Sequence, residues 1–403
     1  MKRVLLVSYH CPPALNAESI LVWKTLRLLA DWHDVTVLTA DDGGAQDGTL
    51  ALPDAVAVMR RRTPRPPGRY AGRVADKLLG LAADERLLWA LSGLAADIPE
   101  GAYDVLYSRS QPGASHILAW LLKLRLGLPW VAQFSDPWAF NPYHSGHTRM
   151  RSYVDGHAER QVMIHADRLI FPTREIQEMY ENQYPGLQVA QRAVILPHHI
   201  VPELYDGVSD SRFDDLSGRA DERVTLSYFG DFYGLRSPEP LIRAVQSLAA
   251  DEPDLGSKLR LRFVGNIQGK FLPLVEESPV EILTGRLSYL ESLRAMAHSS
   301  VLVLLDAPSD TGVNPFLPSK LIDYLGAMRP ILGITETRGT AADVLREFGH
   351  PVIRPQDVAG IARQIAAWLE CPPTGPARTP EAFHSARVVG ELARVIEEAS
   401  NAR

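Results

Sequence analysis

The chain has little from which disulfide or zinc chemistry is built. Its 403 residues include two cysteines, Cys11 and Cys371, too few for a disulfide framework or a metal cluster and in keeping with a reducing compartment. No cluster of residues at metal-ligand spacing is present, so no metal is expected. The loop after the first apolar run reads "SYHCPPALNAES", without the G-x-G-x-x-G of a dinucleotide site, and neither a Walker lysine nor a G-x-S-x-G elbow occurs. Positive charge is not in excess: 42 basic residues face 48 acidic ones, for a formal net charge of −6, which argues against bulk nucleic-acid binding. Long hydrophobic runs are missing too. The opening "VLLV" has strand length, and the leucine-rich "HILAWLLKLRLGLPWV" is broken by Lys123, Arg125 and Pro129, short of the roughly 20 apolar residues of a membrane span. A cytoplasmic protein is expected, soluble or peripheral on the inner face of the membrane.

What is present is an alternation of short apolar runs with longer amphipathic ones, in a chain that is 46% apolar. "RVLLVSY", "DVTVLTA", "YDVLYS", "WVAQFSD" and "DRLIFPT" read as buried strands, with helical segments between them. That rhythm predicts parallel sheet covered by helices. It pauses in an irregular polar stretch after "VILPHHIVPELY" and restarts at "VTLSYFG". Two doubly wound Rossmann-like domains are expected, residues 1–205 and 206–375. After the Pro-rich "CPPTGPARTP", residues 376–403 should form a helix returning to the first domain. Ligands of such folds bind beyond the carboxyl ends of the strands, so the site is expected in the strand-to-helix loops facing a central cleft.

One helix start is unusual. In "FLPSKLIDYLGAMRPIL" Pro318 reads as the first helical position, with Leu321, Leu325 and Met328 on the apolar face. Lys320 then falls in the first turn, where unpaired amides already favour anions. Ser319, Lys320 and Asp323 share a face by their spacing. The plain reading is a solvated Lys–Asp pair; the functional one is an anion site.

The segment "KLIDYLGAMRPIL" resembles the donor-binding helix of family 4 glycosyltransferases of the GT-B fold. The resemblance implies that Lys320 and the helix amides near Ser319 and Leu321 meet the diphosphate of a nucleotide sugar, and that Asp323 stands where a glutamate binds ribose. "LSYFGDFYGLRSPEPLIRAV" is similar to the family's strand–loop–helix, Gly230 matching its glycine and Arg236 its phosphate-contacting lysine. Arg286 and Leu287 correspond to the base-binding loop. "PWVAQFSDPWAFNPY" and "ADRLIFPTREIQEMY" resemble family segments of the first domain. The implied activity is a retaining, metal-independent hexosyl transfer to a hydroxyl of a glycan, lipid-linked or small-molecule acceptor. Lys320 and Arg236 would stabilise the leaving diphosphate, and Asp136 would orient acceptor or sugar. The other reading of Asp136 is a carboxylate capping the turn before Pro137.

There are departures. Position 315, where many members carry a first glutamate, is Pro315. Asp231 follows Gly230 in place of arginine, and Ser135 replaces a histidine; Asp306 or Asp310 is a candidate substitute carboxylate. These departures motivate an alternative, a catalytically inactive nucleotide- or glycan-binding scaffold; a sugar-nucleotide epimerase is more distant. Asn16, Trp138 and His144 are acceptor-side candidates, Trp138 as a sugar-stacking or a packing residue. Adjacent His198 and His199 read as hinge residues. The arginines of "MRRRTPRPPGRYAGRVADK", beside the leucine-rich helix read in residues 78–94, suit a peripheral contact with anionic membrane through residues 59–95, or simply a solvated basic loop.

Overall fold

The computed structural model describes residues 1–402 apart from 42, 44, 65–76, 82, 84–85, 143–146, 206–222, 233–234, 310–311 and 377. The chain divides into two units, Met1–His198 with Ser385–Arg403, and His199–His384. His198 and His199 are both buried, and the division falls between them.

The first unit is built on a parallel sheet of β1 (Arg3–Val7), β2 (Asp34–Ala40), β3 (Ala57–Arg61), β4 (Val105–Ser110), β5 (Trp130–Phe134), β6 (Arg168–Phe171) and β7 (Ala193–Ile195). Their order is β3-β2-β1-β4-β5-β6-β7. Val4 lies opposite Val35 on one side and Val105 on the other. The central strands are buried on both faces and do not alternate: β5 is apolar at all but Gln133, and β4 buries Ser108, Arg109 and Ser110 along with its apolar residues. Short edge strands β3 and β7 had no such signal; Met59–Arg61 belongs to β3 although it reads as part of a basic loop. The expected helix over residues 78–94 is not continuous: its second part is Leu87–Leu94, entered from a non-helical Arg86.

The second unit repeats the plan with β8 (Val224–Phe229), β9 (Leu259–Val264), β10 (Ile282–Gly285), β11 (Val301–Leu305), β12 (Ile331–Ile334) and β13 (Val352–Ile353), in the order β10-β9-β8-β11-β12-β13. Both sheets therefore reverse direction beside their first strand, giving a switch point between β1 and β4 and another between β8 and β11.

The final helix, Ser385–Asn401, belongs to the first unit. Val388, Val389, Leu392, Val395 and Ile396 join the core formed by Val4, Leu6, Val22 and Leu26. His33 Nε2 meets the Ala393 carbonyl at 3.1 Å and Lys2 Nζ donates to Asn401 Oδ1 at 2.7 Å. Phe383, buried, lies in the 3-10 turn before the helix.

Candidate functional site

In the second unit, residues from four loops converge at the switch point between β8 and β11. Gly230 follows β8 with φ +128°, a conformation open to glycine. The helix that supplies Lys320 runs Ser319–Gly326 and takes Pro318 as its N-cap, one residue earlier than the first helical position expected for it. Lys320 is thus its second residue. Met328, expected on the apolar face, instead lies beyond the helix end, 41% exposed with φ +53°. Lys320 Nζ donates to the Tyr228 hydroxyl at 2.8 Å and stands 4.1 Å from the centre of the Tyr228 ring. A β-carbon at Gly230 would meet that ammonium.

Asp306 follows β11 and is buried. It accepts from Asn314 Nδ2 and Thr335 Oγ1, both at 3.3 Å, and lies 3.7 Å from Arg236 Nη2. Burial raises the Asp306 carboxyl; the cations Arg236 and Lys320 and the Thr335 hydroxyl pull it back. Lys320 is part-exposed over its whole length, but its ammonium is enclosed, and it is held well below the ordinary lysine value by burial and then by Arg236, against the attraction of Asp306 and Asp231. Lys320 and Arg236 beside the start of a helix form a place where an anion is favoured by both cations and by the helix amides.

The other candidates of this unit take distinct places. Ser319 opens the helix, whereas Leu321 turns into the core and its amide donates to the Pro318 carbonyl. Asp323 is buried: Tyr289 donates to its Oδ1 and Tyr205 to its carbonyl, each at 3.0 Å. Gly326 gives the Tyr205 ring room, since a β-carbon there would lie 2.6 Å from it. Asp231 accepts from the Asn266 backbone at 2.6 Å and from its side chain at 3.2 Å. Asn266 Oδ1 in turn receives the exposed Arg286, next to half-buried Leu287. Tyr205, Tyr228, Tyr289 and Asn266 escaped the sequence reading. The only signal of the three tyrosines was that a tyrosine in an apolar setting needs a partner for its hydroxyl, and Asn266 carried none.

In the first unit, Asp136 is half-buried in the loop after β5. Ser135 Oγ donates to Glu18 Oε2 at 2.6 Å, and Glu18 Oε1 receives Arg109 Nε at 2.9 Å. Asn16 caps the helix Ala17–Leu29, accepting from the Ser19 amide at 2.9 Å, and its Nδ2 pairs with His10 Nδ1 at 3.1 Å. The Trp138 ring is packed inside rather than offered for stacking: it is 4% exposed and fills the space over Gly113, where a β-carbon would lie 2.0 Å from it. His144 and Asp310 lie outside the described residues, as does most of the arginine-rich stretch. Of its described members, Arg60 donates to the Pro12 carbonyl at 2.5 Å and Arg62 pairs with Asp41 at 3.0 Å.

Residues 22–197 match the model of the glycosyl transferase 4-like domain. Among curated proteins it is 25% identical over 291 residues to a D-inositol 3-phosphate glycosyltransferase of Stackebrandtia nassauensis, covering 66% of this chain and 60% of that protein. The match thus spans less than two thirds of that relative. Among solved structures, Anabaena HepE in complex with UDP aligns with a TM-score of 0.68 at 15% identity, covering 99% of this chain and 100% of that one. WaaG, a glycosyltransferase involved in lipopolysaccharide biosynthesis, aligns with a TM-score of 0.62 at 16% identity over 98% and 99% of the two chains. At these identities the structural likeness establishes the GT-B fold. Among the described residues, no helix is long and apolar enough to cross a membrane.

Proposed function

We propose that this GT-B protein is a retaining glycosyltransferase that moves a hexose from a nucleoside-diphosphate sugar to a hydroxyl of a glycan, lipid-linked or small-molecule acceptor, without a metal. The observation that carries this reading is the Lys320 ammonium held over Gly230 and beside Arg236 and Asp306 at the start of the helix Ser319–Gly326. A diphosphate there would gain from both cations and the helix amides, and charge on the departing diphosphate would be stabilised by groups already in place. Solved structures of HepE hold UDP and UDP-glucose, which supports a nucleotide-sugar donor for this chain. Asp323, held by Tyr289, is assigned to the ribose side, Arg286 and Leu287 to the base side, and Asp136 to the acceptor. Residues 59–95 are assigned a peripheral contact with anionic membrane.

The test begins with thermal shift against UDP, GDP, TDP and their glucose derivatives, since a ligand of the folded state raises its melting temperature by mass action. Turnover of the stabilising sugar nucleotide, to water and to D-inositol 3-phosphate, follows. Release of the nucleoside diphosphate supports the transferase; binding with no turnover supports the inactive scaffold.

A further inference from the structure

Each residue on either side of Asp136 is held by a group from elsewhere in the first unit. Before it, Ser135 is tied to Glu18. After it, the Pro137 carbonyl accepts from Gln111 Nε2 at 3.2 Å and from Asn141 Nδ2 at 3.0 Å. The Trp138 amide donates to the Tyr180 hydroxyl at 3.1 Å, and the Ala139 amide to Glu159 Oε2 at 2.8 Å. These amides lie outside helix and strand and have no ladder to pair with. Side chains of two helices, Arg149–His165 and Arg174–Gln183, satisfy them instead.

Glu159 is the centre of this arrangement and is fully buried. Beyond the Ala139 amide, its carboxylate receives the Tyr180 hydroxyl at 2.9 Å and the Tyr184 hydroxyl at 2.8 Å. Burial raises its pKa, and these hydrogen bonds work in the other direction. Burying a carboxylate costs free energy, whereas burying an apolar side chain of that size stabilises the fold, so packing alone does not account for it. What the carboxylate does that leucine cannot is hold the Ala139 amide and, through Tyr180, the Trp138 amide. Trp138 is then pressed over Gly113, where no side chain larger than glycine's fits.

We propose that Glu159, acting with Tyr180, is a positioning residue that fixes the Ser135–Ala139 loop so that Asp136 is presented to the acceptor hydroxyl. The proposal rests on the transferase reading above. It assigns a function to a buried network in the first unit that is separate from the phosphate-binding residues of the second. Tyr184 offers an internal comparison, because its hydroxyl bonds the same carboxylate but neither of the loop amides.

The experiment compares Tyr180→Phe, Glu159→Gln and Tyr184→Phe, using UDP-glucose turnover to water and to D-inositol 3-phosphate, UDP-induced thermal shift, and amide hydrogen exchange. Tyr180→Phe and Glu159→Gln are expected to lower kcat by about tenfold to hundredfold, the scale of an ångström-sized misplacement, with the UDP shift unchanged. Their Trp138 and Ala139 amides should exchange faster. Tyr184→Phe should lose a similar amount of thermal stability yet keep kcat within about twofold, because only the loop geometry governs the reacting group. Equal kcat losses in the two tyrosine variants, or wild-type exchange at both amides in Tyr180→Phe, would overturn the proposal. If the wild-type chain turns nothing over, the transferase reading fails on its own, and slow or fast exchange at the two amides still decides for or against the clamp.

Discussion

A β-carbon on Gly230 would lie 2.7 Å from the Nζ of Lys320. The glycine after β8 and the lysine 90 positions later therefore define one site: the backbone loses its side chain so that an ammonium can rest against it. Gly230→Ala should combine backbone strain, on the order of 1–3 kcal/mol, with displacement of that ammonium, and so lower both melting temperature and UDP-induced stabilisation. Gly186 also has positive φ, but its β-carbon would meet nothing within 4 Å. Gly186→Ala should cost stability alone. Equal UDP responses in the two variants would refute the pairing.

Binding at this site should be linked to proton uptake. The pKa of Lys320 is depressed from 10.5 in the folded chain, so between the folded value and 10.5 the unfolded state holds more protons, and stability rises with pH across that window. A diphosphate reverses the balance by favouring the charged ammonium. Affinity should then fall as pH climbs through the depressed value, with a proton taken up on binding. Calorimetry in buffers of different ionisation heat, repeated at pH values stepped down from 10.5, reads this directly. Lys320→Met should bind what UDP it can without uptake, and uptake equal to the wild type would sink the assignment.

Acid stability should be set in part by His116 and His198. Burial, then Arg109, pushes His116 down to about 3, and burial, then Arg109 and Lys24, does the same to His198. Folded imidazoles stay neutral below the ordinary value of 6.5, whereas unfolded ones bind protons. Their contribution is therefore complete above that value and is lost as pH falls toward 3, at up to about 1.4 kcal/mol per pH unit for each. His116→Gln should flatten the fall of melting temperature over this range; an unchanged slope would contradict it.

For the membrane proposal, the informative substitutions are Arg61, Arg65 and Arg69 to Ala. They spare Arg60 and Arg62, which hold Pro12 and Asp41. Sedimentation with anionic vesicles should decrease, and more strongly at low salt, because surface attraction is screened over about 10 Å at 0.1 M. Sedimentation equal to that of the unsubstituted chain would remove the proposal.

The central strands were legible because burial on both faces gives β1, β11 and β12 apolar runs and opens β4 and β5 with Val105, Leu106 and Tyr107 and with Trp130, Val131 and Ala132. Strands β3 and β7 were missed, since edge strands with half-exposed side chains carry no such run. At the candidate site, a lysine in a helix's first turn conflicts with the local dipole, and that conflict drew attention to Lys320. Trp138 and the tyrosines were ambiguous for the opposite reason. An aromatic ring suits a core and a ligand site equally, and only the position of Gly113, or of Lys320 over Tyr228, separates the two.

The most direct test of the account is UDP binding and UDP-glucose turnover by Lys320→Ala. Tyr228 keeps a hydrogen bond to the Asp231 carbonyl at 3.3 Å, and loss of the ammonium relieves its repulsion with Arg236, so the unliganded protein should melt at or above the wild-type temperature. Stabilisation by UDP should fall sharply and UDP-glucose turnover should nearly vanish. A Lys320→Ala protein that binds UDP and turns over UDP-glucose like the wild type would place the diphosphate elsewhere and contradict the account.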